Sequence, residues 1–186
     1  MSQIKSKKRV RDFGEVYTNE REVKAMMDLL GDTGYQIKSR FLEPACGNGN
    51  FLVEILNRKL KTVRENYNCE IDRWRGVIDS VSSIYAIDIC QDNVDETRKR
   101  MLDIIKDFLI IENENLTVIK NVKYILNKNI MLGDFINDED NIRFYDFTDA
   151  GNGFVQIKVY NMENMRLDTP IPLRIEDKIK YFELGV

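Results

Sequence analysis

The residues best suited to chemistry lie in a glycine-containing turn that follows a short apolar run. Residues Phe41–Leu52 read FLEPACGNGNFL, so Glu43 stands before the turn and a helical apolar pattern begins at Phe51. Glycine lets the main chain approach a ligand closely, and the start of a helix presents free N–H groups. The turn lacks the Lys-Ser/Thr pair of a phosphate-binding loop, and the carboxylate would repel a pyrophosphate. We therefore expect a crevice for a small nucleoside-bearing cofactor that carries a cationic group.

Two further carboxylates stand at or near the ends of apolar runs. Asp88 falls within Ile84–Ile89, and Asp134 falls within Asn129–Phe135. Because the carboxyl ends of parallel strands meet at one edge of a sheet, we expect Glu43, Asp88 and Asp134 to lie along that edge. Three acids there favour a cationic ligand such as S-adenosylmethionine, or its demethylated product. Each acid alone could equally be a solvated strand end or the cap of the next element.

Strand-like and helix-like patterns alternate from residue 40 to residue 135. This alternation predicts an α/β fold with an open, mostly parallel sheet and helices on both faces. Thr18 or Asn19 can cap a helix that runs to about Leu30, and Asn19 and Glu22 have capping-box spacing.

Further elements are predicted around the acids. The first strand is expected at 40–44, and the helix from Phe51 should turn an apolar stripe toward the sheet. A long amphipathic helix is predicted over Gln91–Ile111, with Asn113–Asn115 marking its end. Residues 116–126 form an element whose type the pattern does not indicate.

The stretch 64–82 is the least regular part of this region. Asp88 follows Glu43 by 45 positions, which is long for a strand–helix–strand step and predicts an inserted short helix or loop. Trp74 lies between two arginines in this stretch. It either covers the edge of the core or stacks on a base or a partner, and the first role is the commoner one.

The pattern changes after residue 137. Two alternating apolar runs, Ile142–Phe147 and Phe154–Tyr160, predict an antiparallel hairpin. Residues 161–174 are irregular, and residues 175–183 are predicted to form a short terminal helix. We treat 137–186 as a C-terminal hairpin and tail.

Residues 1–12 are polar and basic, which predicts a solvated, flexible arm. The alternative is an arm that contacts phosphate groups. The cations of this segment are Lys5, Lys7, Lys8, Arg9 and Arg11.

Composition limits the remaining possibilities. At 186 residues, the chain is expected to form one domain, residues 13–186, beyond the arm. There is no histidine, and the three cysteines lack C-x-x-C spacing, so no metal site is predicted. The net charge of −3 does not suggest a broad nucleic-acid surface. Without an apolar run of membrane-spanning length or a secretion signal, a cytoplasmic protein is expected.

Four blocks of sequence resemble one protein family. Gly14–Thr18, Leu42–Phe51, Ile84–Ile89 and Asn129–Phe135 are similar, in this order, to the cofactor motifs of adenine-specific DNA methyltransferases of restriction–modification systems. The resemblance covers the S-adenosylmethionine-binding part of these enzymes and is most specific in Leu42–Phe51. It implies a Rossmann-like methyltransferase fold and S-adenosylmethionine as the cofactor.

The resemblance also implies roles for particular residues. Glu43 would lie near the amino group of the cofactor, Asp88 would accept from both ribose hydroxyls, and Asp134 would accept from the adenine amine. Ile89 and Phe135 would sandwich the adenine ring. The residues assigned to cofactor binding in this way are Tyr17, Thr18, Glu43, Ala45, Cys46, Gly47, Asn48, Gly49, Phe51, Asp88, Ile89, Asp134 and Phe135.

The catalytic motif of the family is missing. That motif is Asn/Asp-Pro-Pro-Tyr/Phe, which orients the target amine and stacks on the flipped base. Here the prolines are Pro44, Pro170 and Pro172, and none are adjacent. Asn161 and Asp168 are poor substitutes, so the catalytic residues are unknown.

Three functions therefore remain open. In the first interpretation, the chain is an adenine-specific DNA methyltransferase-like protein of a restriction–modification or phage system, and the missing catalytic motif is supplied by a partner chain or replaced locally. Alternatively, it is a catalytically silent cofactor-binding or regulatory protein. In the third interpretation it methylates something other than DNA.

Overall fold

The fold is built on a three-stranded parallel sheet. The computed structural model describes residues 4–111 and 116–185. Strands β1 (Phe41–Glu43), β2 (Ile84–Asp88) and β3 (Ile130–Leu132) lie side by side in that order. This confirms an α/β fold with a parallel sheet, although each strand is shorter than its apolar run.

Seven helices surround the two sheets of the described residues. They are α1 (Lys7–Phe13), α2 (Glu20–Asp28), α3 (Asn50–Asn66), α4 (Glu70–Ser82), α5 (Gln91–Ile111), α6 (Leu116–Asn129) and α7 (Met162–Met165). The capping box that begins α2 is present as predicted, with Asn19 and Glu22 bonded reciprocally. Helix α5 has the predicted bounds, whereas the end signal at Asn113–Asn115 lies outside the described residues.

The stretch 64–82 is more regular than its sequence suggests. It contains the 13-residue helix α4, which packs on α3 and α6 and contributes Val77, Ile78 and Val81 to the core. Trp74 packs against this core, with its ring 6.2 Å from that of Phe182 in an edge-on arrangement. Its core-covering role is thereby confirmed. Residues 116–126, which the sequence left untyped, belong to helix α6.

The two faces of the sheet are covered differently. Ile84 and Ala86 of β2 join the main core with residues of α3, α4, α5 and α6. Tyr85 and Ile87 point to the other face, where they pack with Ile142 and Phe144. The prediction of helices on both faces holds only in part: the long helices contribute to the main core, and on the second face the four-residue helix α7 contributes Met162 beside residues of the segment after β3.

A second, antiparallel sheet follows. The predicted hairpin is confirmed as β4 (Phe144–Asp149) and β5 (Phe154–Tyr160), with β4 shifted two residues along the chain. Its inward residues Val155, Ile157 and Val159 belong to the same core as the helices. Both sheets thus share one hydrophobic core.

The predicted terminal helix at 175–183 is wrong. Two short strands, β6 (Arg174–Ile175) and β7 (Ile179–Lys180), pair instead with the other edge of β5. That edge offers main-chain partners to the tail, as in the 2.9 Å bond from Glu176 N to Ile157 O. An exposed short helix would have no comparable tertiary support.

Within the described ranges, no helix combines the length and apolar character that crossing a membrane requires.

A buried lysine joins the amino ends of β1 and β2. The Lys59 ammonium on α3 has no exposure to solvent and donates to Ile37 O at 2.8 Å, Ser39 O at 2.5 Å and Ser83 Oγ at 2.6 Å. These residues lead into the two strands, so one side chain connects both chain segments. Burial lowers the pKa of Lys59 to about 7.

We predict that Lys59→Met lowers the free energy of unfolding by about 1–3 kcal/mol near neutral pH, because buried oxygens lose their donor. Since the folded-state pKa is depressed, the folded protein binds fewer protons than the unfolded chain between about pH 7 and pH 10. The stability of the wild type should therefore rise over that interval relative to the variant. Urea unfolding at several pH values measures both effects.

The matched control is Lys61→Met on the same helix, whose ammonium is exposed and lies 3.8 Å from Glu65. Its effect should stay below about 0.5 kcal/mol. Equal losses in the two variants would contradict a structural role for the buried ammonium.

Candidate cofactor-binding site

The turn between β1 and α3 has the tight geometry that its glycines suggest. Gly47 and Gly49 have φ of 51° and 81°, in the left-handed region that favours glycine. A Cβ on Gly49 would lie 2.7 Å from Thr97 Oγ1, so this glycine also permits close packing on α5. Cys46 N donates to Ile87 O at 3.0 Å, which fastens the turn to β2.

Asp88 connects this turn with the start of α5. Its side chain is almost buried, with 8% exposure, and accepts from Gly47 N at 2.8 Å through Oδ2. The other oxygen accepts from Cys90 N at 2.9 Å and from Asn93 Nδ2 at 3.1 Å. A carboxylate offers about four acceptor positions. Three of them are used within the protein, which leaves about one for a ligand.

Glu43 is a half-buried carboxylate without a cationic partner among the described residues. Its one hydrogen bond is a long one, 3.3 Å from Ala45 N to Oε1. Burial raises the pKa of Glu43, and the bond from Ala45 offsets only part of that effect. This group would gain most from a positively charged ligand, because its own surroundings do not neutralise it.

Asp134 is half-buried and caps its own turn. It accepts from Ile136 N at 3.0 Å and from Asn137 N at 2.9 Å, and its other oxygen accepts from Asn137 Nδ2. These bonds lower the pKa of Asp134. The contacts of Asp134 are therefore those of an acid that caps the next element, one of the alternatives given for a strand-end acid.

The three acids follow the carboxyl ends of three neighbouring strands in a stepped row. Glu43 is level with Ala86, and Asp88 is level with Leu132. Asp88 therefore lies two residues, or about 7 Å, farther along the strand direction than Glu43, and Asp134 lies two residues farther than Asp88. The expected common edge exists, but the acids are staggered along it.

The N-terminal segment covers the glycine turn. The Tyr17 ring lies within 3.1 Å of the position that a Cβ on Gly47 would take. Its hydroxyl is 3.0 Å from Glu15 Oε1 and 3.2 Å from Asn93 Oδ1. The neighbouring Thr18 carbonyl accepts from Asn50 Nδ2 at 2.8 Å. Tyr17 therefore occupies part of the space beside Gly47.

An ion-pair cluster holds this segment in place. Arg9 donates to Glu15 at 2.5 and 2.9 Å and to Asp92 at 3.0 Å. Lys5 lies 2.6 Å from Asp92. Residues 7–13 form helix α1, so the predicted flexible arm is helical over these positions, and residues 1–3 lie outside the described ranges. Three of its cations, Lys5, Arg9 and Arg11, pair with carboxylates, which argues against the phosphate-contacting alternative for these three.

The remaining predicted residues are distributed around the turn. The Cys46 thiol is buried, and burial raises its pKa to about 12, so it is unreactive at neutral pH. Asn48 is buried, and its carbonyl accepts from Arg100 Nη1 at 2.5 Å. Ala45 is exposed at the rim, whereas Phe51 packs against the main core.

The proposed ring sandwich involves residues with very different surroundings. Ile89 is exposed just beyond β2, where it is free to meet a ligand. Phe135 instead packs with the cluster of Tyr85 and Ile87 on the second face of the sheet. The two side chains therefore lie in different environments in the absence of a ligand.

The groups that support the acids are not indicated by the sequence. Glu15 lies inside the recognised block Gly14–Thr18, but nothing local indicates its pairing with Arg9. Asn93 sits in the first turn of α5, five positions after Asp88, a spacing that suggests a contact with the strand end. In the described residues, no group of Cys, Asp and Glu side chains is arranged to hold a metal ion.

We predict that Glu15→Gln lowers the free energy of unfolding by about 2 kcal/mol at neutral pH, because the acceptor shared by Arg9, Asn93 and Tyr17 loses its charge and Arg9 loses one of its two acceptor oxygens. Arg9, assisted by the other two, lowers the pKa of Glu15 to about 2. A depressed folded-state pKa contributes stability above about pH 5 that is lost as the pH falls toward 2. The difference between wild type and variant should therefore shrink over that interval in thermal unfolding.

Glu65→Gln is the control, because Glu65 is exposed on α3 and lies 3.8 Å from Lys61. It should show little effect at either pH. A difference between wild type and Glu15→Gln that is constant with pH would rule out the charged pair as its source.

Comparison of the chain with protein-family models, curated proteins and solved structures finds no match.

Proposed function

We propose that the chain binds S-adenosylmethionine, or its demethylated product, at the carboxyl edge of the parallel sheet. In this proposal it is the cofactor-binding part of an adenine-specific DNA methyltransferase, and a partner chain supplies the missing catalytic motif. The observation that carries the proposal is Glu43, a half-buried carboxylate beside the glycine turn that pairs with no cation of the described residues.

A lone half-buried carboxylate is costly unless a ligand compensates it. The ordinary solution is a lysine or arginine, as with Glu54 and Arg58 at 2.8 Å elsewhere on α3. Among the described residues Glu43 has no such partner. The amino group of the cofactor is a cation of suitable size, and its binding would neutralise the acid.

The rest of the edge suits a nucleoside. Ligands of open α/β sheets bind outside the carboxyl ends of the strands, and an acid there commonly accepts from ribose. Asp88 retains about one free acceptor position, so it can accept from one hydroxyl without rearrangement. Tyr17 lies over Gly47, where its ring would form a wall of the site. When bound, S-adenosylmethionine would supply an activated methyl group.

The strand order supports the finer fold assignment. A glycine turn after β1 and three parallel strands in the order β1-β2-β3 are compatible with one half of a Rossmann-like methyltransferase sheet. Strand β1 is then an edge strand, open on the side away from β2. Further strands from another chain would have main-chain groups to pair with at that edge.

An exposed apolar surface near β1 supports a partner. Leu42 is 42% exposed and lies in a groove of about 580 Å³ between β1 and the segment that contains α7. Contiguous apolar surface of this kind commonly marks an interface. The exposed apolar residues of the segment from α7 to β6 are Met165, Leu167, Ile171, Leu173 and Ile175.

The catalytically silent alternative is favoured by the closed contacts at Asp88 and Tyr17. Both side chains already have protein partners, so neither needs a ligand to satisfy its polar groups. A protein that only binds or senses the cofactor would need no base pocket. The net charge of −3 is also unusual for a protein that grips DNA alone.

We predict that wild-type protein binds S-adenosylmethionine in isothermal titration and that Glu43→Gln weakens binding about tenfold, because a charge-assisted contact is lost. The demethylated product should lose affinity equally, since it carries the same amino group. Glu43→Gln is a cleaner test than Asp88→Ala, which also removes the link between two turns.

Glu65→Gln again serves as the control and should bind like the wild type. No heat with wild-type protein at about millimolar ligand would end the proposal. Binding that is unchanged in Glu43→Gln would place the ligand elsewhere on the chain.

We predict that the chain alone transfers no methyl label to DNA and that label enters DNA when cell extract containing the partner is added. The reason is that no described group orients an adenine amine in the way that the absent motif does. Incubation with labelled cofactor and DNA, RNA, protein or extract measures this. Label in RNA, protein or a small molecule would favour a non-DNA substrate, and retained binding without any transfer would favour the silent alternative.

A further inference from the structure

A crevice of about 370 Å³ lies beside the outer edge of β3. Three cationic side chains line it: Arg98 from α5, Lys128 from α6 and Arg143 from the segment before β4. None of the residues that line the crevice is acidic. On a chain with a net charge of −3, this local excess of positive charge calls for an explanation.

Neutral groups hold Arg98 in position. Its Nε donates to Ile130 O at 3.0 Å, and its Nη2 donates to the same carbonyl at 2.5 Å and to Asn127 O at 3.2 Å. The nearest carboxylate oxygen is that of Asp95, 3.9 Å from Nη1. The guanidinium is therefore fixed at the end of α6 without a short ion pair.

Lys128 and Arg143 are positioned in a similar way. The Lys128 ammonium lies 4.8 Å from the centre of the Tyr145 ring and 5.5 Å from that of Tyr124, both within cation–π range. Arg143 Nη1 donates to the carbonyls of Asp140 and Ile142. Among the described residues, neither cation makes a salt bridge.

Several arginines elsewhere on the molecule pair with carboxylates. Arg9 pairs with Glu15, Arg58 with Glu54, and Arg166 with Glu139 at 2.7 Å. The crevice cations differ from these pairs: carbonyls and aromatic rings orient them, and the 3.9 Å contact of Arg98 with Asp95 is their one salt bridge among the described residues. Such an arrangement is suited to an anion that accepts several hydrogen bonds.

We propose that this crevice binds a phosphate group. Phosphate offers several charged acceptor oxygens to donors from three directions, and arginine is well suited to it. The crevice is larger than one phosphate, so the group belongs to a nucleotide or to a nucleic-acid backbone, with the adjoining sugar or base against Met131 and Tyr145. The site uses none of the cofactor-edge residues, so it does not depend on the proposed cofactor.

The test compares two lysines of helix α6. Lys128→Gln removes a cation from the crevice, whereas Lys123→Gln removes the same charge from an exposed position on the same helix outside it. Each variant and the wild type are titrated with inorganic phosphate, with adenosine monophosphate and with a short DNA duplex. Phosphate affinity should fall about tenfold in Lys128→Gln and stay within about twofold in Lys123→Gln.

The three ligands of the titration distinguish between a nucleotide and a nucleic-acid backbone as the source of the phosphate. A crevice for nucleic acid should bind the duplex far better than the mononucleotide, and the salt dependence of duplex binding should lose about 0.9 from its slope in Lys128→Gln. A crevice for a nucleotide should show the reverse preference. If all three ligands fail to bind the wild type, or if both lysine variants lose equal affinity, the proposal is overturned.

Arg143→Gln is a second variant that keeps the proposal testable if Lys128→Gln is poorly folded, and it should lose a similar affinity. Circular dichroism confirms the fold of each variant. S-adenosylmethionine is titrated into the same samples, where its binding should be unchanged by either substitution. Failure at the crevice and failure at the cofactor edge are thus separate results.

Discussion

The carboxylate of Asp88 is the contact on which the candidate site depends. One oxygen accepts from the turn after β1, and the other accepts from the start of α5. Two chain segments that are 43 positions apart in sequence, at Gly47 and Cys90, are therefore held by one side chain. Because the carboxylate is almost buried, leaving it without its N–H donors would be costly. The conformations of the two turns are therefore fixed together.

The covering segment extends the same network. Asn93 donates to Asp88 and also to Glu15 at 2.6 Å, and Glu15 in turn accepts hydrogen bonds from Arg9. Tyr17 joins through its hydroxyl, and burial together with Glu15 raises its phenol pKa, so it remains protonated. The N-terminal helix is thus linked through buried polar groups to the glycine turn, and a ligand that displaced Tyr17 would have to replace these bonds.

Several local patterns were predicted correctly from the sequence, whereas the pairings of the tail strands and of the N-terminal segment were not. The capping box of α2 and the bounds of α5 depend on residues within a few turns of each other, as does the glycine turn. The tail strands depend on the free edge of β5, and the partners of Arg9 lie as far as Asp92. No periodicity in the chain encodes such contacts. The alternating run of 142–147 predicted a hairpin, but its register follows from packing against β2.

The charged residues show most clearly why composition did not predict the positions of the two candidate sites. The N-terminal segment is the most basic part of the sequence, yet Lys5 and Arg9 are paired with carboxylates of the fold. The crevice beside β3 draws its cations from positions 98, 128 and 143, too far apart to be noticed in the sequence. Conversely, Glu43 is one acid among 31 acidic residues, and only its surroundings distinguish it. Strands lie about 4.8 Å apart, so the two edges of this sheet are about 10 Å apart, which is close to the screening length in physiological salt. The half-buried anion at β1 and the cations beside β3 thus belong to opposite edges of the sheet, and each edge is suited to a ligand of opposite sign.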